Sequence, residues 1–234
     1  MKKFSLKFFR HDLNDTAILG VIILKVNQRK TDWDSYYQNP FPISTISRAI
    51  SVKKIKKIIN IFGANQINNI AEIGGGNSFF VNHFLDSQEV KKYMVIDNCE
   101  SAINLFNSRF SQDSRVSARL YNALKITTSE NFDLVFSIGL IEHFDKSGTA
   151  KAIASHFQLC KPKGIVLITF PTPTLLYKLI RRMAEFAGIW RFYDERPLNF
   201  EEVITECSKF GIRKHNSILW AIGLTQGYVV FEKK

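Results

Sequence analysis

Two hydrophobic periods divide the 234-residue chain. Residues 70–73, 93–97, 132–137 and 165–170 are short, almost unbroken apolar runs. Runs without alternation predict strands of a parallel sheet with helices over both faces. Between them, apolar positions recur every three or four residues, the helical spacing. Residues 44–62 put Ile46, Ile50, Ile55, Ile58, Ile59 and Phe62 on one helical face and Lys53, Lys54, Lys56 and Lys57 on the other, with Gly63 as the stop. A short helix is expected at 79–85, a second at 100–110 with Ala102, Ile103, Leu105 and Phe106 inward, and a third at 149–159. Residues 116–121 predict a further strand, and Lys161 to Gly164 a turn. In a long insertion, 171–197, Leu175, Leu176, Leu179, Ile180, Met183 and Phe186 recur at helical spacing beside Lys178, Arg181 and Arg182. Asn199 and Glu202 form a capping-box pattern for a helix at 201–210 ended by Gly211, and strands are expected at 212–221 and 227–232.

The densest chemistry lies at residues 69–80, NIAEIGGGNSFF. A strand there runs into Gly74, Gly75 and Gly76, then into a helix. Glycines let the backbone turn with positive φ and let a ligand come close, and the first turn of a helix offers free N–H groups. The second strand ends in Asp97, where a βαβ unit places an acid within reach of both ribose hydroxyls. Together they point to an adenosine-containing cofactor. A dinucleotide site needs a small residue where Phe79 stands, and no lysine follows the glycines as a P-loop requires.

The remaining pattern, acid-x-Gly-x-Gly-x-small at Glu72, Gly74, Gly76 and Ser78, resembles the first motif of the class I S-adenosylmethionine-dependent methyltransferases. The chain departs from it at Ser78, where the family has glycine. FDLVFSIGLIEHF, ending at Phe144, resembles the fourth motif of the small-molecule, type 11-like branch, and CKPKGIVLITFP the family's following turn and fifth strand. The resemblance covers roughly residues 65–234. It implies an α/β fold: a Rossmann-like, seven-stranded, mostly parallel sheet with helices on both faces, an antiparallel C-terminal hairpin and an N-terminal extension. It implies S-adenosylmethionine as cofactor. The loop from Glu72 through Gly75 to Ser78 would hold its methionine part. Asp97, with Asn98 beside it, would hold the ribose. Asn122, standing where the family often has an acid, and Ala123 would flank the adenine. Ser137 and Gly139 would border the transferred methyl, and His143 would be the general base. Glu142 falls at the same sheet edge and would contact the substrate. Trp33, Tyr36 and Tyr37, in a W-x-x-Y-Y element that resembles the family's substrate-closing lead segment, would touch substrate together with Trp190 and Tyr193.

Composition narrows the partners. A 45 % hydrophobic content supports a real core, and the net charge of +11 favours anionic partners (nucleic acid, a phospholipid surface, phosphate-bearing substrates) unless it reflects a host-wide lysine bias. Cys99, Cys160 and Cys207 lie far apart with no zinc spacing, so no metal is expected, and sparse cysteine fits a reducing cytoplasm. No run reaches the roughly 18 apolar residues of a membrane span. Residues 1–43 read as an appendage and lid ahead of a methyltransferase domain at 44–234. The apolar run 17–24, followed by Lys25, lacks a signal-peptide ending. It resembles short leading segments of some bacterial surface-polysaccharide enzymes, and would serve as a packed hairpin or as a peripheral contact at the inner membrane face. After the fourth strand, Ser137-Ile138-Gly139-Leu140 replaces the N/D-P-P-Y/F motif of base-amine methylation, and no Pro-Cys nucleophile is present. The expected reaction is therefore O-methylation of a small molecule, a saccharide or lipid-linked intermediate. The alternatives are an RNA-directed methyltransferase and a non-catalytic cofactor-binding scaffold. Oligomeric state is left open.

Overall fold

In the computed structural model, residues 30–38, 43–62, 67–86, 90–220 and 224–234 are described. The apolar runs become strands of one seven-stranded sheet: β1 (Asn69–Ile73), β2 (Lys92–Asp97), β3 (Val116–Leu120), β4 (Phe132–Ile138), β5 (Cys160–Pro171), β6 (Gly211–Trp220) and β7 (Gln226–Lys233), in the order β3-β2-β1-β4-β5-β7-β6. The first five are parallel; β7 runs antiparallel to both β5 and β6. Helices α1 (Trp33–Gln38), α2 (Ile43–Phe62), α3 (Val81–Leu85), α4 (Glu100–Arg109), α5 (Lys146–Leu159), α6 (Leu175–Phe186) and α7 (Phe200–Ser208) connect or cover the strands. The Rossmann-like α/β expectation with its antiparallel hairpin is met.

Side-chain alternation explains why the parallel strands are apolar throughout. Ile70, Val95, Phe136 and Leu167 face one core, with Val52, Ile55 and Ile59 of α2. Ala71, Met94, Val135 and Ile168 face the other, with Ile153 of α5 and Val203 of α7. The strand order reverses between β1 and β4, so the helices after them depart to opposite faces. A crevice opens at the carboxyl ends of these strands, as in open α/β sheets generally.

Several local expectations are corrected. Leu105 is exposed: at 100° per residue it falls outside the narrow stripe of Ala102, Ile103 and Phe106. Helix α3 begins at Val81, two residues late, because residues 78–80 are still part of the turn. Helix α5 begins early, at Lys146, where Asp145 caps it by accepting from the Gly148 amide at 2.7 Å. The Lys161-to-Gly164 turn lies inside β5. Phe132 pairs with Cys160 and Leu134 with Ile165, so those residues bulge out, with Lys163 at φ 61°. The capping box before α7 is not formed: Asn199 makes no side-chain cap bond, and Glu202 instead pairs with Arg196, Nη2 to Oε1 at 2.8 Å. On α6, Leu175, Leu176, Leu179, Met183 and Phe186 are exposed. The appendage at 1–29 and the helix stop at Gly63 lie outside the described residues.

Candidate active site

The glycine loop closes β1 against β2, with the Gly74 amide bonded to the Ile96 carbonyl at 2.7 Å. Gly74 and Gly76 adopt φ of 72° and 48°, a region that other residues rarely enter. The position where the family motif has its last glycine carries Ser78 without strain, since Ser78 is not among the positive-φ residues. Its buried hydroxyl donates to the Glu72 carboxylate, which also accepts from Tyr93 Oη at 2.7 Å. Glu72 lies under Gly75, and burial raises its carboxyl to about 7 against those two bonds. Glu72 and Ser78 therefore brace the loop from below.

Asp97 stands at the tip of β2, next to the loop. Its Oδ1 accepts from the Cys99 amide at 2.9 Å and its Oδ2 from Tyr37 Oη at 3.2 Å. Burial pushes this carboxyl above its ordinary range, opposed by those bonds and by backbone bonds from Gly76 and Asn98. Asn98 is exposed beside it. Asn122 is also exposed, its Oδ1 accepting from the Leu124 amide at 2.8 Å in a local turn, while Ala123 is buried. Ser137 and Gly139 lie at the end of β4; Ser137 Oγ is fully buried and lacks a hydrogen-bond partner.

From there the chain enters a single helical turn, Ile141–His143, that presents Glu142 and His143. The His143 side chain is 7 % exposed, and Nδ1 lies 3.0 Å from Asp194 Oδ1. Asp194 also accepts from the Thr31 hydroxyl. Burial would raise Asp194, but the bonds from His143 and Thr31 outweigh it and hold the carboxyl at about 2. Glu142 is buried with Oε2 unpartnered. Desolvation, then the nearby Glu195, raise it well above the usual carboxylate range. Glu195, which accepts from the Tyr177 hydroxyl, is raised by burial to about 8. One ligand atom from each of Glu142, His143 and Glu195 falls within 4.8 Å of the others, a grouping able to hold a cation. Sequence spacing pointed to no metal because this set joins two distant segments.

Aromatic rings close the site. Asp32 caps α1 by accepting from the Ser35 amide at 3.0 Å, and Asp34 pins the helix to Ser101 at the start of α4. Trp33 meets the His143 ring edge-on at 4.8 Å between centroids, and Phe192 lies 5.4 Å from Tyr36 and 5.9 Å from His143. Tyr37 lies over Gly76, where an added Cβ would come within 2.1 Å of its ring. Trp190 is buried behind this wall and donates Nε1 to the Phe192 carbonyl at 2.8 Å. It supports Phe192 rather than facing the opening. Tyr193 is partly exposed next along the chain. The residues that sequence reasoning missed are Thr31, Phe192, Asp194 and Glu195. For Asp194 and Glu195 the signal was a charged Asp-Glu-Arg run directly after the aromatic residues of the insertion.

A family profile described as a methyltransferase domain matches residues 70–164, from β1 through the start of β5. Over this span the chain is similar to the class I S-adenosylmethionine-dependent methyltransferases. Phosphoethanolamine N-methyltransferase from Plasmodium falciparum (isolate 3D7) is 27 % identical over 157 residues, covering 62 % of the chain and 54 % of that protein, so the chain spans about half the length of this relative. The structure of the N-methyltransferase NodS from Bradyrhizobium japonicum WM9, in complex with S-adenosyl-L-homocysteine, superposes with a TM-score of 0.60 at 16 % identity, over 86 % of the chain and 93 % of NodS. Magnesium protoporphyrin IX methyltransferase from Synechocystis PCC 6803 superposes at 0.65 with 9 % identity, over 86 % and 93 %. These two likenesses establish the fold. A cradle for the cofactor of that class would draw on the glycine loop, Asp97, and the end of β4, where the buried Ser137 hydroxyl lacks a partner. A polar ligand there would complete the hydrogen bonding, so the residues present fit the cofactor of the class.

Proposed function

We propose that the protein transfers a methyl group from S-adenosylmethionine to the nitrogen of an amine-bearing small molecule. The carrying observation is the pairing of buried Glu142 with the largely buried Glu195, beside His143 and under the ring wall of Trp33, Tyr36 and Phe192. Carboxylates brought together out of water repel one another, and a bound ammonium relieves that repulsion. Aromatic rings add attraction for a cation. Two relatives, the Plasmodium enzyme and NodS, are named as N-methyltransferases, which supports the same reading.

The cofactor supplies an electrophilic methyl on a sulfonium sulfur. Asp97 anchors its ribose, with Tyr37 giving up or sharing its bond to that carboxylate. Glu142 and Glu195 orient the amine. An ammonium has no lone pair, so a base must first take a proton; Glu195, raised to about 8, and His143, oriented by Asp194, are placed for it. Bound there, the cofactor would give its methyl to that nitrogen and leave as the thioether, and the same two residues are placed to take the second proton.

A second reading is favoured by the His143–Asp194 pair. A histidine held by an aspartate also serves to deprotonate a hydroxyl, which keeps O-methylation of a saccharide or lipid-linked acceptor in view. Transfer of labelled methyl to ethanolamine and phosphoethanolamine, run beside a panel of saccharides, separates the two. The amine reading expects N-methylated product and a Glu142→Gln variant whose amine KM rises about tenfold or more, the loss of a charged partner. Methylation confined to hydroxyl acceptors would overturn it.

A further inference from the structure

Helix α6 carries an apolar stripe on its solvent side. Leu175 and Phe186 are 86 % and 96 % exposed, and Leu176, Leu179 and Met183 between them are exposed as well. Ile189 continues the patch beyond the helix end. Within α6 only Tyr177 is buried, on the opposite face, where its hydroxyl holds Glu195. The helix is thus amphipathic with the apolar side turned away from the core. Soluble monomers rarely display so contiguous a patch without using it.

The charges bordering the stripe identify what covers it. Lys178 and Arg182, both exposed, follow one edge of the stripe, one turn apart. The single acid of the helix, Glu185, is taken by Arg181 at 2.8 Å. A second copy docking here antiparallel, through a two-fold axis across the helix, would bring like-charged rims together. An anionic lipid surface instead accepts the apolar side chains into its interface and pairs the cations with its headgroups. The excess charge of the whole chain, +11, has the same sign. We propose that α6 is a membrane-docking helix that seats the protein on an anionic lipid surface. Docking would also set the acceptor opening close to that surface, because Arg181 donates to the Glu195 carbonyl at 2.9 Å and Tyr177 holds the Glu195 side chain. The inference does not depend on which acceptor is methylated.

The test is co-sedimentation of the full chain with vesicles of phosphatidylcholine, alone and mixed with phosphatidylglycerol. Binding is expected only with the anionic lipid. It should weaken by about tenfold or more in Leu179→Glu/Phe186→Glu and again in Lys178→Glu/Arg182→Glu. These positions are at the surface, so melting temperature and S-adenosylhomocysteine binding should stay unchanged and show that the variants fold. Vesicle binding that survives in Leu179→Glu/Phe186→Glu would overturn the proposal and move lipid contact elsewhere, such as to residues 1–29. No vesicle binding, or a wild-type dimer that this variant converts to monomer, would overturn it too.

Discussion

Under the glycine loop, the Glu72 carboxylate has exchanged water for two hydroxyl donors, Ser78 and Tyr93. The exchange is incomplete, because burial still raises its carboxyl from 4.5 to about 7. Proton binding is therefore tighter in the folded state. The associated stability is fully present below pH 4.5 and is lost as pH rises to about 7. Above that, an ionised Glu72 costs roughly 3 kcal/mol relative to its neutral form. A Glu72→Gln variant cannot ionise and keeps an oxygen for both hydroxyls. It should gain on the wild type across this window and level off above pH 7, as read from paired melting curves. Curves that stay parallel from acid to alkaline pH would show that Glu72 is not desolvated in this way. Glu72 and Gly76 stand out in the chain because they belong to one turn of backbone, and Asp97 because it ends the next apolar run. Asp194 was not: it reaches His143 across 51 residues, and no local spacing marks that pairing.

Helix α1 is the element on which cofactor and acceptor sites meet. Tyr37 rests over Gly76 and bonds to Asp97, while Trp33 on the same helix touches His143. Such a short helix owes its position to these contacts rather than to its own propensity. Replacing Gly76 with alanine puts a side chain at φ 48°, and its Cβ would lie 2.1 Å from the Tyr37 ring. The backbone term alone is roughly 1–2 kcal/mol, so Gly76→Ala should lower the melting temperature by roughly 2–8 °C and weaken S-adenosylhomocysteine binding as α1 is pushed off. An unchanged melting temperature with unchanged affinity would mean that α1 does not cover the loop. At this scale periodicity located the helices but not their orientation. The stripe of α6 has the same spacing as a core stripe, and only the fold shows that it faces outward. The bulge at residues 161–164 reads as a turn because lysine, proline and glycine mark irregular backbone whether or not the strand resumes.

The whole molecule ties distant segments to one edge of the sheet. The proposed cradle draws on β1, β2 and β4, and the proposed acceptor side on Thr31 and on residues 192–195. The make-up of the sheet was readable in outline through the family resemblance. The +11 charge was readable too, but not its placement. Two lysines of the basic face of α2 donate to backbone carbonyls, Lys54 to Leu219 at 2.7 Å and Lys56 to His83 at 2.5 Å, whereas the rim of α6 borders an apolar stripe. A site assembled from such separated pieces has no counterpart in the unfolded chain, so its ligand binds the native state alone. At a hundred times its Kd, S-adenosylhomocysteine should then add about 2.7 kcal/mol, a rise in melting temperature of roughly 5–11 °C for a domain of this size. Asp97→Ala should abolish most of that rise, and added salt should leave it largely intact, because buried hydrogen bonds in the cradle are screened little. Vesicle binding through α6 should behave oppositely and fall steeply with salt. A thermal shift that collapses in salt along with vesicle binding would mean that the ligand is held by surface charge, and would remove the cradle from its assigned place at the carboxyl ends of β1 and β2.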